Sequence, residues 1–594
     1  MKKRVADIIW ETLVEYGIDT CFGVVGGGAM HLDNALALNN DIHKIFNHHE
    51  QASAMAAEAY ARISGKMAAV CVTSGPGATN AITGVMGCWQ DSLPMIVLSG
   101  QVRYAISIPQ SGLDLRYRGI QEFDIIHSVQ NMTKYVTMVT DPLAIKQELH
   151  KAVTLATTGR RGPVWLDVPM DIQSAIVEED ELYKADYVPE LPHISDDDIK
   201  EVFEKLITAE RPVVLAGNGI VNSGCLAMFR EFIKKIEIPV IDACIAADAM
   251  YGEYPLYYGM SGSIGPRTGN FIVQNADVIL SLGCNLGFKM TGWEQKAFAP
   301  DAYMIAVDID ENEMKKPGVR VDRHLHCDLS EFFERSSGII EKIEIKNQWL
   351  DYCNSLKERF TPYEAIEGLD MEERVCSYYF WNVYEKYESD ESITILGNNT
   401  ACSAKLQIGI QKENQRIVAN NNCGSMGADL PEAVGAAIAA GKEVICVTGD
   451  GSIMMNLQEL QTIRYNELPV KVIVFSNDGY NAIRQTCKNF FNGTLIGCTK
   501  ETGISFPEFS DVAKTFGMDY MICHKNSELE DCLKDFFSRK GQVLLEVEER
   551  LDDPVTPKVS SRMNEDGSFS TPSLEDMAPF ISKEEHDKWM IKKA

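Results

Sequence analysis

Long apolar runs, paired cysteines and clusters of positive charge are all absent from this sequence. No stretch approaches the roughly 18 consecutive apolar residues that a transmembrane helix needs, so we expect no membrane span. The 16 cysteines are scattered without a CxxC pair, which argues against a zinc or disulfide framework and favours reduced thiols. Acidic residues outnumber basic ones by 85 to 56, and the net charge of −29, with no local basic cluster, argues against a nucleic-acid partner.

The amino-terminal segment also lacks the pattern of a signal peptide. Its basic first residues are followed by Asp7, Glu11 and Glu15 at helical spacing. This pattern predicts an amphipathic helix of the folded protein. Together with the unpaired cysteines, it leads us to expect a cytoplasmic protein.

The chain is long enough for several domains. With 594 residues it exceeds the size of a single hydrophobic core, and three or four domains are expected. Strand-like apolar runs alternate with helix-like segments in three regions, a pattern typical of βα units on a parallel sheet. We predict an α/β protein with three doubly wound parallel-sheet domains, at residues 1–180, 195–340 and 375–550, and a tail at 551–594.

Two apolar runs near the carboxyl end lead into glycine turns. Val444–Val447 is followed by Thr448-Gly449-Asp450-Gly451-Ser452, and Val470–Phe475 is followed by Ser476-Asn477-Asp478-Gly479. Ligands bind at the carboxyl ends of strands in open α/β sheets, so we expect Asp450 and Asn477 to face each other there. With a backbone carbonyl near Gly479 they form a set of hard oxygen donors that suits Mg²⁺. The alternative is two ordinary turns with polar surface residues.

The first of these turns has a faint echo near the amino terminus. Ala69–Gly77 resembles Val444–Gly451, because both segments are an apolar run followed by threonine and a glycine turn. One fold used twice would explain the echo, with only the second copy carrying the aspartate.

Glu50 is an acidic residue at the start of a predicted helix. It stands in His49-Glu50-Gln51, just before the alanine-rich remainder of the segment that ends at Ser64. Such an acid has a structural explanation, a favourable interaction with the helix dipole. The alternative is a carboxyl group that takes part in chemistry, and it is favoured only in combination with other segments of the chain.

Taken together, these segments resemble the thiamine diphosphate (ThDP) enzymes, and acetolactate synthase and its relatives in particular. The resemblance lies in Gly449-Asp450-Gly451 followed by Asn477, in His49-Glu50-Gln51, in Ala56–Arg62 and in Thr73–Asn80. It implies two ThDP-binding domains on either side of a Rossmann-like middle domain, with ThDP and Mg²⁺ as cofactors. It also implies that Asp450, Asn477 and Gly479 bind the metal and that Glu50 hydrogen-bonds the aminopyrimidine ring.

The loop Asn422–Pro431 contributes a third part of the resemblance, although a plain turn before a helix would have a similar sequence. The resemblance implies that Met426 wedges between the two cofactor rings, while the backbone near Gly424 bonds the pyrimidine edge. The residues expected to bind the cofactor are Gly26, Gly27, Gly28, Glu50, Asn80, Asn399, Thr400, Gly424, Ser425, Met426, Gly449, Asp450, Gly451, Ser452, Asn477, Gly479 and Tyr480.

The substrate side departs from the acetolactate synthases. Met170 stands where the family has a lysine, Thr486 where it has a tryptophan, and Asn285–Lys289 replaces an Arg-Phe-Asp-Asp-Arg run. These departures leave open both the acceptor and the presence of FAD. The middle-domain residues that could line a nucleotide site, in a domain that could equally lack a ligand, are Gly217, Gly219, Ser261, Gly262 and Asp308.

Other motifs resemble ThDP enzymes associated with polysaccharide and unusual-sugar biosynthesis, among them Ile483–Thr486 with Phe490-Phe491. Gln121 matches a pocket residue of acetolactate synthases. Arg484 could meet an anionic substrate, or it could be a surface residue of a lid. The predicted catalytic residues are Glu50, Gln121, Met426 and Arg484.

The resemblance predicts a carboligase that decarboxylates a 2-oxo acid, pyruvate first, and transfers the acyl-carbanion equivalent to a carbonyl acceptor. The alternatives are a non-ligating 2-oxo acid decarboxylase, a carboligase acting on a nucleotide-linked keto sugar, and a catalytically silent regulatory paralogue. In the family, the residues matching Glu50 and Asp450 come from different subunits, which implies a homodimer or homotetramer.

Overall fold

The computed structural model describes residues 1–244, 246–339, 342–563 and 569–591. Its three large sheets each contain six strands, and every strand pair within them is parallel. The predicted fold class, three parallel-sheet α/β units, is confirmed. No helix in the described ranges is long and apolar enough to cross a membrane.

The first sheet has the strand order β3-β2-β4-β5-β7-β6. A short strand β1 at the amino terminus pairs antiparallel with β8 outside this sheet. The strands are β1 Lys2–Arg4, β2 Thr20–Gly23, β3 His43–Phe46, β4 Ala68–Val72, β5 Met95–Gln101, β6 Tyr135–Met138, β7 Pro163–Pro169 and β8 Ile176–Glu178. The helices are α1 Val5–Glu15, α2 Met30–Leu38, α3 Glu50–Ser64, α4 Pro76–Asn80, α5 Ile82–Gln90, α6 Ile108–Ser111, α7 Ile125–Val129, α8 Ile145–Thr157 and α9 Met170–Ser174.

The middle sheet has the order β11-β10-β9-β12-β13-β14, which is the 3-2-1-4-5-6 order of a Rossmann fold. Its strands are β9 Pro212–Ala216, β10 Val240–Ala243, β11 Tyr257–Ser261, β12 Val278–Leu282, β13 Tyr303–Asp308 and β14 Arg323–His326. Its helices are α10 Asp196–Thr208, α11 Gly219–Asn222, α12 Leu226–Ile236, α13 Arg267–Asn275, α14 Phe288–Thr291, α15 Glu311–Lys315 and α16 Leu329–Ser337, and α17 Asn347–Arg359 lies in the connector that follows.

The third sheet has the order β16-β15-β17-β18-β20-β19. Its strands are β15 Ile393–Leu396, β16 Arg416–Ala419, β17 Val444–Gly449, β18 Val470–Ser476, β19 Asp519–Cys523 and β20 Val543–Glu548. Its helices are α18 Ser377–Tyr384, α19 Thr400–Ile408, α20 Asp429–Ala440, α21 Asp450–Ile453, α22 Glu459–Tyr465, α23 Asn481–Phe490, α24 Phe509–Phe516 and α25 Leu529–Ser538. The apolar runs of β17 and β18 are buried on both faces, as expected for central parallel strands.

The first and third sheets share one topology. Read in chain order, β2 to β7 occupy the same places in the first sheet as β15 to β20 occupy in the third. The sequence echo between Ala69–Gly77 and Val444–Gly451 therefore falls on the equivalent strands β4 and β17. Helices α3 and α20 follow equivalent strands and cross so closely that an added Cβ at Gly435 would overlap the carbonyl oxygen of Ala56.

The segment after the Gly449 turn forms two short helices rather than one. Helix α21 ends at Ile453, α22 begins at Glu459, and Met455 between them is exposed. The break occurs because the Asn456 Nδ2 atom donates to the carbonyl of Gly427 at 2.8 Å and to Gln51 Oε1 at 3.2 Å.

The carboxyl-terminal tail lies against the middle domain. Asn270 Nδ2 donates to the carbonyl of Leu574 at 3.0 Å, and Gln274 Nε2 donates to Glu575 Oε2 at 2.8 Å. The tail ends in a helix, α26 Lys583–Trp589, whose Trp589 is buried. Helix α13 is thereby covered by the end of the chain.

Candidate active site

Asp450 lies at the carboxyl end of β17, directly beside the end of β18. Its Oδ1 atom accepts a hydrogen bond from the backbone N–H of Gly451 at 2.7 Å, and its Oδ2 atom accepts from Asn477 at 3.0 Å and Gly479 at 3.2 Å. Burial raises the pKa of Asp450 to about 6, against the opposing effect of these three N–H groups. The carboxylate forms no ion pair with any described side chain, so it is a buried acid that lacks a cation.

Asn477 is held from two sides. Its Nδ2 atom donates to Glu549 Oε2 at 2.7 Å, and its Oδ1 atom accepts from Arg484 Nη2 at 3.2 Å. Glu549 is fully buried directly after β20, the neighbour of β18 in the sheet. The sequence analysis did not predict the contact of Glu549 with Asn477, although an acid directly after a buried strand was an available signal.

Arg484 lies inside the protein rather than on a lid surface, with a side chain that is largely buried. Its Nη2 atom donates to the backbone carbonyl of Asn477 at 3.0 Å and also to the carbonyl of Leu551. The surface alternative is therefore wrong. The described contacts of Arg484 are with Asn477 and the start of the tail.

Asn399 lies at the start of α19, next to the turn of β17. Its Oδ1 atom caps the helix by accepting from the N–H of Cys402 at 2.7 Å, while its buried Nδ2 atom has no hydrogen-bond partner in the described chain. An added Cβ at Gly449 would lie 3.2 Å from that Nδ2 atom. A free donor at the amino end of a helix, beside a glycine, is an arrangement that suits an anion such as phosphate.

The loop that carries Gly424, Ser425 and Met426 lies beside the same edge of the sheet. Asn398 Nδ2 donates to the carbonyl of Gly424 at 2.5 Å, and the N–H of Gly427 donates to Ser452 Oγ at 2.9 Å. Met426 is half-buried. These bonds tie the loop to the turns after β15 and β17, as a shared site requires.

Two further predicted residues belong to these turns. The ring of Tyr480 covers Gly451 so closely that an added Cβ there would overlap it. Thr400, the first residue of α19, accepts a bond from Asn481 Nδ2 at 3.1 Å. The cofactor-binding residues predicted in the third domain are therefore gathered at one edge of its sheet.

The predicted residues of the first domain form a second group. Glu50 begins α3, and its Oε2 atom accepts from Asn80 Nδ2 at 3.0 Å. Its Oε1 atom lies beside Gly77, where an added Cβ would approach it to 3.3 Å. The structure thus brings the acid next to the start of α4, at a position that carries no side chain.

The glycines after β2 pack on the turn between β4 and α4. The N–H of Gly28 donates to Thr73 Oγ1 at 2.9 Å, and added Cβ atoms at Gly26 and Gly28 would overlap Thr73 and Ser74 respectively. Gly27 has open space around it. Gln121 is exposed and has a positive φ of 59°, and its carbonyl lies against Gly75.

The two groups touch through their neighbours in one chain. Asn456 bridges Gln51 and the carbonyl of Gly427, and Asn47 Nδ2 donates to Glu459 Oε2 at 2.9 Å. No hydrogen bond or ion pair within the described ranges joins Glu50 to Asp450 or Asn477. Within the described chain, the Glu50 group and the Asp450 group are therefore separate.

Comparison with known proteins finds one family model for each of the three large sheets. Family models match residues 3–126 (thiamine pyrophosphate enzyme, N-terminal TPP binding domain), 199–335 (central domain) and 396–547 (C-terminal TPP binding domain). The probable acetolactate synthase large subunit of Methanococcus aeolicus is 30% identical over 567 residues, which are 91% of each chain. The chain belongs to the acetolactate synthase-like thiamine pyrophosphate enzymes.

Two other relatives have similar extents. The acetolactate synthase isozyme 1 large subunit of Escherichia coli (strain K12) is 29% identical, over 93% of this chain and 95% of its own. The chloroplastic acetolactate synthase of Arabidopsis thaliana is 29% identical, over 92% of this chain and 81% of its own. The predicted family and its cofactor ThDP are confirmed. The prediction of an enzyme of the class that decarboxylates 2-oxo acids and forms carbon–carbon bonds is confirmed as well.

Proposed function

We propose that this enzyme decarboxylates a 2-oxo acid, with pyruvate as the first candidate, and transfers the acyl-carbanion equivalent to a carbonyl acceptor. The observation that carries the proposal is the meeting of Asp450, Asn477 and the unpaired Nδ2 donor of Asn399 at one sheet edge. It occurs in a chain that is similar over most of its length to proteins named acetolactate synthases.

The residues at this edge fit Mg²⁺. Asp450 is a buried carboxylate without a cation, a costly arrangement that a divalent ion would relieve. Asn477 supplies an amide oxygen and Gly479 a backbone carbonyl, and oxygen donors of this kind are the ligands that Mg²⁺ prefers. We assign these three residues to the metal.

The same edge fits the diphosphate of ThDP. The unpaired Asn399 Nδ2 atom and the amino end of α19 at Thr400 would hold phosphate oxygens. Gly449 and Gly451 would allow close approach of the backbone. The half-buried Met426 would support the rings from the loop beside this edge.

Glu50 would move the proton that the reaction needs. Asn80 orients the carboxyl group by donating to Oε2, which leaves Oε1 beside Gly77 without a hydrogen bond from any described residue. There Glu50 would share a proton with a nitrogen of the pyrimidine ring. When bound, ThDP supplies an electron sink for the negative charge that remains when CO₂ leaves.

A homodimer or homotetramer would complete the site. Each chain carries Glu50 and Asp450 without a direct contact between them, and a second copy could present the missing half. Gln121 is exposed near Gly75, in the turn beside the Glu50 group, and would then face the substrate.

The test is the product spectrum of the purified enzyme with ThDP and Mg²⁺. Pyruvate is offered alone and with 2-oxo acids, aldehydes or keto-sugar nucleotides, and products are identified by mass spectrometry. We expect CO₂ release and a ligated product. Release of an aldehyde alone would indicate a non-ligating decarboxylase, and no CO₂ from any 2-oxo acid would indicate a silent paralogue.

A further inference from the structure

A cluster of buried charged side chains lies where the first domain meets the loop that carries Met426. Its members are Glu58 and Arg62 on α3 and Asp91 directly after α5, and each is more than nine-tenths buried. One guanidinium serves both acids, because Arg62 Nη2 lies 3.3 Å from Glu58 Oε1 and 2.5 Å from Asp91 Oδ2. Among the described residues no other cation pairs with either acid, so the two carboxylates need further donors.

The third domain supplies those donors as two asparagine amides. Asn420 directly follows β16, and its Nδ2 atom donates to Glu58 Oε1 at 3.1 Å and to Oε2 at 3.0 Å. Asn422 Nδ2 donates to Asp91 Oδ1 at 2.5 Å. Burial raises the pKa of Glu58 to about 7, against the opposing effect of Arg62, so the side chain is mostly ionised at pH 8. Hydrogen bonds to ionised acceptors are stronger than those between neutral groups.

The first of these asparagines also organises the loop. The carbonyl of Asn420 accepts from the N–H of Gly424 at 2.8 Å, and its Oδ1 atom accepts from the N–H of Ser425 at 3.4 Å. Met426 follows directly, and the far end of the loop is fixed at Gly427, which donates to a side chain after β17. The place of Met426 therefore depends on how Asn420 is held.

Helix α5 leaves room for the contact between Glu58 and Asn420. An added Cβ at Gly87 would lie 2.6 Å from Glu58 Oε2 and 2.7 Å from Asn420 Nδ2. A methyl group there would force the carboxylate and the amide apart, because both distances are far below van der Waals contact. Alanine is otherwise favourable within a helix. Gly87→Ala therefore disturbs this contact without changing a charge or removing a donor.

We propose that Glu58 and Asp91 are positioning residues for the loop that carries Met426. Glu58 acts through Asn420, and Asp91 acts through Asn422 in the same way. Together they fix where Met426 supports the cofactor rings, and in this respect the inference rests on the proposed function.

An exchange of two side chains tests the contact by ThDP titration at pH 8, followed by protein fluorescence at saturating Mg²⁺. Asn420→Asp places two carboxylates face to face beside one guanidinium, so ThDP affinity should fall about tenfold. Adding Glu58→Gln restores one amide and one carboxylate with their roles exchanged, and should recover most of the affinity. Asn40→Asp, the same change at an exposed position, should bind ThDP as the wild type does.

Hydrogen–deuterium exchange reports on the loop without any 2-oxo acid present. Residues 420–427 should exchange about tenfold faster in Asn420→Asp and in Gly87→Ala than in the wild type, while β17 keeps its protection. Unchanged protection of β17 separates a displaced loop from a general loss of stability. Gly87→Ala keeps every charge and decides the case if Asn420→Asp does not fold.

Steady-state kinetics give a third readout. At saturating ThDP, Gly87→Ala should lower kcat for CO₂ release about tenfold and leave the KM for the 2-oxo acid nearly unchanged, because Met426 is assigned to the cofactor. The proposal is overturned if Asn420→Asp binds ThDP as the wild type does, if the paired exchange recovers no affinity, or if loop exchange is unchanged in both variants. If the wild type decarboxylates no 2-oxo acid, the proposed function fails, while ThDP affinity and loop exchange still decide the positioning role.

Discussion

The guanidinium of Arg484 donates to both the backbone carbonyl and the side-chain oxygen of Asn477, at 3.0 and 3.2 Å. A permanent cation therefore borders the residue that we assign to Mg²⁺. Since the same Nη2 atom also donates to the carbonyl of Leu551, Arg484 connects Asn477 to the start of the tail. We propose that Arg484 positions Asn477 rather than meeting substrate.

This assignment predicts the effect of Arg484→Lys. Lysine keeps the charge but lacks the planar fork that serves these acceptors. We expect Mg²⁺-dependent ThDP affinity to fall about tenfold, with little change in the KM for pyruvate at saturating cofactor. Cofactor titration by intrinsic fluorescence and steady-state kinetics measure the two effects. A raised KM with unchanged cofactor affinity would instead support substrate binding by Arg484.

Glu50→Gln is expected to remove activity and spare the cofactor. The amide retains the shape of the side chain beside Asn80 and loses the ability to exchange a proton, so kcat should fall by about 100-fold or more. Tryptophan fluorescence quenching should show ThDP bound in the variant. Glu15→Gln, the same change on the exposed face of α1, is the control. Near-normal turnover by Glu50→Gln would contradict the assigned role.

Mixing two inactive variants tests whether the site is shared between subunits. In a mixed dimer of Glu50→Gln and Asp450→Ala chains, one of the two shared sites would contain both unaltered residues. Random 1:1 reassembly should therefore restore about one quarter of wild-type activity. A mixture that stays inactive after verified subunit exchange would mean that each chain builds its own site.

Glu432 should make stability depend on pH. Both of its oxygens are buried without a partner in the described chain, and burial together with nearby Glu58 raises its pKa well above the ordinary value. The folded state keeps the proton that the unfolded state releases, so the contribution of Glu432 to stability is most favourable below about pH 4.5 and becomes less favourable as pH rises above that value.

Replacing this acid should stabilise the protein at alkaline pH. We expect Glu432→Met to raise the free energy of unfolding by about 1–3 kcal/mol at pH 8, with a smaller gain at pH 5. Denaturant melts at the two pH values measure the difference. Glu15→Met, at an exposed site, should show no such pH-dependent gain. An equal effect of Glu432→Met at both pH values would argue against a buried proton.

The strands and turns of the third domain were predictable from the sequence. Continuous apolar runs such as Val470–Phe475 are typical of strands buried on both faces, and parallel neighbours end at the same edge. The meeting of Asp450 and Asn477 follows from that geometry alone. Their chemical roles and the domain limits stay predictions.

Contacts that depend on crossover connections were not predictable. Glu549 reaches Asn477 because β20 lies beside β18, with β19 beyond it at the edge of the sheet, and no local pattern indicates this order. The break before α22 has the same cause, since Asn456 donates hydrogen bonds to Gly427 and Gln51, which come from other parts of the chain. Hydrophobic periodicity describes one segment at a time and gives no information about contacts with distant segments.

The close crossing of α3 and α20 also governs the order in which a newly made chain can mature. Helix α3 is synthesised early, but its alanine-rich face, including Ala54, Ala56 and Ala57, packs in one core with Ala433 and Val434 of the third domain. Domains generally fold as they leave the ribosome, the first one first. The apolar stripe on α3 is therefore uncovered while the entire middle domain is translated. A chain that stops before residue 429 would keep that stripe exposed to chaperones and proteases.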